Sequence, residues 1–91
     1  MPSVVWTSEA LVDLDEITLY VGLRNHAAAE RLAETIWTAA EQLALQPFAY
    51  RPGREPTTRE AVVHPNYIVV YTVGAESVRI LRVLHASRQY P

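Results

Sequence analysis

The 91-residue sequence contains no cysteine and no lysine. Without thiols there are no disulfides and no thiolate-bound metals, so packing and hydrogen bonding must stabilise the fold, and a reducing compartment fits. The three glycines, Gly22, Gly53 and Gly74, are scattered, which excludes a glycine-rich phosphate loop. No apolar run approaches the ~20 residues of a membrane span. The opening Met1-Pro2-Ser3-Val4-Val5-Trp6 lacks the basic and apolar regions of a signal peptide. A cytoplasmic protein with no membrane partner is therefore expected. His26, His64 and His85 show no metal-ligand spacing, and Ser8, Ser87, Asp13 and Asp15 form no hydrolase triad pattern. Neither a metal nor a cofactor is expected.

Hydrophobic residues make up 49% of the chain, enough for one packed core and too many for a disordered protein. One domain over residues 1–91 is expected. The formal net charge of -2 hides an asymmetry. Residues 1–46 hold two arginines against seven acids, a net -5; residues 47–91 hold six arginines against three acids, a net +3. With arginine as the sole cation, the C-terminal half offers planar forks suited to carboxylate or phosphate, and so to an acidic partner or a nucleic-acid backbone.

Val4-Val5-Trp6 reads as a short strand, and Thr7-Ser8-Glu9 as a capped helix start. Ala10, Leu14, Ile17 and Val21, with Leu11 alongside, form an apolar stripe opposite Glu9, Asp13 and Glu16. Gly22 and Asn25 end that helix, and Asn25 also caps a second one. In this second helix Ala29, Leu32, Ala33, Ile36, Ala40 and Leu43 keep the period while Glu30, Glu34 and Glu41 face water. Pro47, Pro52, Gly53 and Pro56 make residues 46–57 a loop, with Phe48 and Tyr50 expected to pin it to the core. Thr58–Val63, Tyr67–Val73 and Val78–Leu84 read as three strands joined by His64-Pro65-Asn66 and Gly74-Ala75-Glu76-Ser77. The expected fold is α+β, ordered β-α-α-β-β-β, with a helical hairpin packed on one face of a mainly antiparallel sheet.

This order, together with several segments, resembles the RelE/ParE toxins of type II toxin–antitoxin systems. Trp6-Thr7-Ser8-Glu9-Ala10 with Asp13-Leu14 and Ile17 is similar to that family's opening motif. Asn25-His26-Ala27-Ala28 resembles its second-helix start, with His26 where proline is usual. Pro47 and Arg51-Pro52-Gly53-Arg54 resemble its loop. Thr58-Arg59-Glu60, Tyr67-Ile68-Val69-Val70-Tyr71, and Ile80 to His85 with Arg88 and Gln89 resemble its closing strands. The resemblance implies a cytoplasmic toxin in a hetero-oligomer with a cognate antitoxin that has an acidic, amphipathic tail. It implies either of two targets: DNA gyrase for ParE-like members, or messenger RNA on the ribosome for RelE-like ones.

The two differ in chemistry. RNA cleavage through the 2′-oxygen needs a base, an acid and cations for the phosphorane. The nuclease branch tends to carry arginine where this chain has Ile68. Gyrase inhibition without a catalytic site is therefore the favoured expectation, and an endoribonuclease built on Arg59, His85, Arg88 and Tyr90 is the alternative. His85, with no second candidate visible beside it, reads as a strand end that hydrogen-bonds a neighbouring carbonyl. Tyr67 and Tyr71 read as packing groups, and the helix acids as solvated faces. Arg51, Arg54, Arg59, Arg79, Arg82 and Arg88, with Trp37, are the candidates for contacting the antitoxin or target.

Overall fold

The computed structural model describes residues 2–87. Its elements are β1 (Ser3–Trp6), α1 (Ser8–Gly22), α2 (His26–Gln42), β2 (Arg51–Pro52), β3 (Thr58–His64), β4 (Tyr67–Val73) and β5 (Ser77–His85). They build one sheet in the order β1-β5-β4-β3-β2, in which β1 runs parallel to β5 and every other pairing is antiparallel. The expected architecture is present. The short strand β2 was not anticipated: Arg51 and Pro52 pair with Glu60 and Arg59 at the edge of the sheet, inside the segment read as loop.

Local chemistry sets the helix boundaries. The Thr7 hydroxyl accepts from the Ala10 amide at 3.1 Å and donates to the Leu81 carbonyl at 3.0 Å, so one side chain caps α1 and ties it to β5. Asn25 caps α2 by accepting from the Ala28 amide at 3.0 Å. The two helices can approach closely because small residues meet between them, a Cβ on Gly22 lying 3.6 Å from that of Ala29.

The core joins Ala10 and Leu14 of α1 and Ile36 and Ala40 of α2 to Ala61, Val69, Tyr71, Val78, Ile80 and Val83 of the sheet. Ile80 and Val83 are three residues apart, and strict strand alternation would put them on opposite faces. A β-bulge resolves this. Val70 pairs with Arg82 while Tyr71 pairs with Ile80, and the extra residue, Leu81, lets both Ile80 and Val83 face the helices. On the sheet face away from the helices, Val62, Ile68 and Leu84 form one cross-strand row.

The loop after α2 is held differently from the expectation. Phe48 is 66% exposed and Tyr50 is also exposed, so neither ring anchors it. Instead the buried Tyr71 hydroxyl donates to the Pro47 carbonyl at 2.7 Å, and Arg59 donates to the carbonyls of Tyr50 at 2.7 Å and Phe48 at 3.4 Å. Backbone acceptors in an irregular segment need donors, and two long side chains from the sheet supply them.

Candidate functional site

Register brings together residues that the sequence keeps apart. His64 pairs with Tyr67 across the β3–β4 turn, and Tyr67 pairs with His85 across β4–β5, so the three form one row at the end of the sheet. The Tyr67 ring lies 5.6 Å from the His64 ring and 5.3 Å from the His85 ring, centroid to centroid. Each imidazole accepts a backbone N–H two residues ahead through Nδ1, from Asn66 at 3.1 Å and from Ser87 at 3.2 Å. The Ser87 hydroxyl is 2.7 Å from the same His85 nitrogen. The Ala86 amide donates to the Asn66 carbonyl at 2.7 Å, joining the two strand ends. His85 thus bonds Ser87 rather than a neighbouring carbonyl, and it is not alone. The signal was present in the sequence: His64 and Tyr67 flank a two-residue turn, and residues flanking such a turn face each other.

Tyr67, Val83, His85 and Ser87 form one wall of a cleft of about 610 Å³, and Asp13, Glu16, Ile17 and Tyr20 of α1 form the other. Asp13 corrects the reading of the helix acids as solvated. Its side chain is 13% exposed. One oxygen accepts from Arg82 Nε at 2.7 Å and the Val83 amide at 2.9 Å; the other accepts from Arg82 Nη2 at 3.0 Å. This bidentate fork binds α1 to β5 at the bulge. The hydrogen bonds that Arg82 donates to Asp13 raise the Arg82 pKa above its ordinary value; burial opposes this, and the nearby Asp13, Glu9 and Glu16 charges add to it.

The other candidate residues are dispersed. Arg51 pairs with the buried Glu60, Nη2 to Oε1 at 3.0 Å and Nε to Oε1 at 3.2 Å. Arg59, bonded to the loop carbonyls, lies over the Phe48 ring at 5.0 Å. Arg54 is exposed near the tip of the β2–β3 hairpin, and Arg79 is exposed on β5 opposite Thr72. Trp37 is 44% exposed and stacks on Trp6 with centroids 4.7 Å apart, so it is neither wholly core nor free surface. Arg88 and Tyr90 lie outside the described residues. Arg59 and His85 do not share a site: Arg59 bonds the loop after α2, while His85 lies on the cleft. Among the described residues no group of three or more metal-ligating side chains occurs, and no helix is long and apolar enough to cross a membrane.

The sheet order and its helical hairpin are those of solved toxin structures. The chromosomal ParDE system of P. aeruginosa matches with a TM-score of 0.84 over 93% of this chain and 96% of that one, at 24% identity. The E. coli DinJ-YafQ complex matches with a TM-score of 0.63 over the whole of both chains, at 14% identity. At such identities the likeness is one of fold. In sequence, toxin RelE2 of Caulobacter vibrioides is 43% identical over 88 residues, 97% of this chain and 99% of that protein. The profile described as "ParE toxin of type II toxin-antitoxin system, parDE" matches residues 4–90. The chain thus belongs to the ParE toxin family and is the toxin of a type II toxin–antitoxin system.

Proposed function

We propose that this toxin acts by binding DNA gyrase and that a cognate antitoxin neutralises it. The observation that carries the reading is the electrostatics of the cleft at His85. The cleft is lined by Asp13 and Glu16, and the neighbouring Arg82 is engaged by Asp13. Among the described residues that line the cleft, an RNA phosphate would meet two carboxylates and no guanidinium, whereas phosphoryl chemistry needs cations at the developing charge. Ile68, where the nuclease branch tends to carry arginine, sits between Val62 and Leu84 in an apolar row. Such a row suits a protein surface better than a phosphodiester. The test is direct: the purified toxin should block supercoiling by gyrase and leave messenger RNA on ribosomes intact. Ribosomal A-site cuts that precede any replication defect would overturn the proposal.

A second reading rests on a specific observation. The His64–Tyr67–His85 row supplies two imidazoles and a phenol, of which Tyr67 and His85 line the cleft, groups able to move protons during RNA cleavage, and the relative RelE2 carries the name of the other branch. If that reading is right, His64→Gln and His85→Gln will each abolish toxicity in a folded protein. If gyrase is the target, inhibition will survive both.

For the antitoxin, Val12 and Leu19 of α1 and Leu23 at its C-cap are exposed, Leu19 and Leu23 following Val12 by seven and eleven residues. That spacing makes one apolar stripe. A tail that is disordered alone would fold along it, with its acidic residues meeting Arg51, Arg54 or Arg79. Arg59, Arg82, Arg88 and Trp37 complete the proposed contact set. Bound antitoxin should raise the melting temperature by mass action.

A further inference from the structure

We infer that the cleft between α1 and the ends of β4 and β5 receives an arginine side chain presented by a polypeptide partner. Its volume of about 610 Å³ lies within the ~300–1,000 Å³ of ligand clefts, large enough for an arginine and part of the flanking chain. Ile17 and Val83 contribute apolar surface for the methylene stem, while Tyr20 and Tyr67 contribute aromatic rings. Of the two carboxylates, Asp13 already holds Arg82 and the Val83 amide. Glu16 makes no hydrogen bond or ion pair among the described residues, and it is the charge left over for a ligand.

The occupant follows from this chemistry. An anion is repelled by Glu16, while Asp13 is already paired with Arg82. A guanidinium can lie flat on a ring and at the same time direct its N–H fork to a carboxylate, which the more compact and strongly hydrated lysine ammonium does less well. The protein uses the same contact at the cleft's rim, where the guanidinium of Arg24 sits 4.3 Å from the Tyr20 ring centroid. The first 46 residues carry a net -5, so a basic side chain would be drawn to this side of the molecule. A partner wrapping the toxin would thus present acids to the arginines of the C-terminal half and a base to this cleft. The inference holds whichever target the toxin has.

The test is an NMR titration of the isotope-labelled toxin with N-acetyl-arginine amide, with the isosteric, uncharged citrulline amide as control. The arginine probe should give saturable shifts at Glu16, Ile17, Val83 and Ser87 with a millimolar dissociation constant, and the citrulline probe should not. Glu16→Gln should weaken binding about two- to fivefold, the range of a partly exposed ion pair, and Tyr20→Leu should weaken it as well. Equal shifts with both probes, no saturable shift, or affinity unchanged in both variants would overturn the inference. So would binding that appears only after Arg88→Gln, since this chain's own arginine would then be the occupant.

Discussion

Replacing Asp13 by alanine tests whether the helical hairpin is latched to the sheet at the bulge. The carboxylate accepts three hydrogen bonds, two from Arg82 and one from the Val83 amide. Loss of the last leaves a part-buried N–H without its acceptor, at a cost of about 1–3 kcal/mol. The charge-assisted bonds from Arg82 add about 1 kcal/mol, less than their full strength, because the guanidinium is 44% exposed and regains water. The sum is about 2–4 kcal/mol, a large share of the ~5–15 kcal/mol that holds such a domain together. In a domain of this size that lowers the melting temperature by about 8–30 °C. Arg82→Ala should cost less, about 1–2 kcal/mol, because Asp13 still receives the Val83 amide. The double variant should melt close to Asp13→Ala alone, since both changes remove one shared contact. Arg82 is held charged above its ordinary pKa, so its contribution is fully present below that value and the latch should not weaken between pH 7 and pH 10. Thermal melts of the three variants decide the matter. If Arg82→Ala proves the costlier, or if the two costs simply add, the latch does not work as argued.

Other substitutions test other parts of the structure. Burial holds the Tyr71 phenol above its ordinary pKa of 10.0, Arg59 opposing and Tyr50 adding to the effect. The unfolded phenol ionises first, so wild-type stability should fall as pH rises past about 10, and Tyr71→Phe should remove that slope in alkaline denaturation series. At pH 7 the same variant should lose about 0.5–1.5 kcal/mol with the bond to Pro47. Thr57 has φ 67° despite its branched side chain, so Thr57→Gly should raise the unfolding free energy from denaturant titration by about 0.5–1 kcal/mol. A Cβ on Gly53 would collide with the Thr58 side chain, so Gly53→Ala should cost about 1–3 kcal/mol in the same assay.

Much of the fold was legible because short-range rules governed it. The caps at Thr7 and Asn25, the alanine-rich stripe of α2 and the β-branched and aromatic run Tyr67–Val73 each decide their own conformation within a few residues, and the family motifs follow the same order. The site was less legible. His64 and Tyr67 could have been paired from their turn, yet His85 joins them only through the β4–β5 register, which a bulge interrupts. On a helical wheel Asp13 reads as one more surface acid. Its burial depends on Arg82 and Val83, some 70 residues away in sequence.

Periodicity, capping and motif order in the sequence determined that this chain is a small α+β toxin with two helices on a mainly antiparallel sheet. The tertiary structure alone decided how these charges are engaged: Arg82 is held by Asp13, Arg51 by Glu60 and Arg59 by loop carbonyls, while among the described residues Glu16 has no hydrogen-bond or ion-pair partner. The physical reason is range. Backbone conformation is set by neighbours along the chain, but a side-chain charge is neutralised by whatever lies within about 4 Å in space, and only the folded register determines what that is.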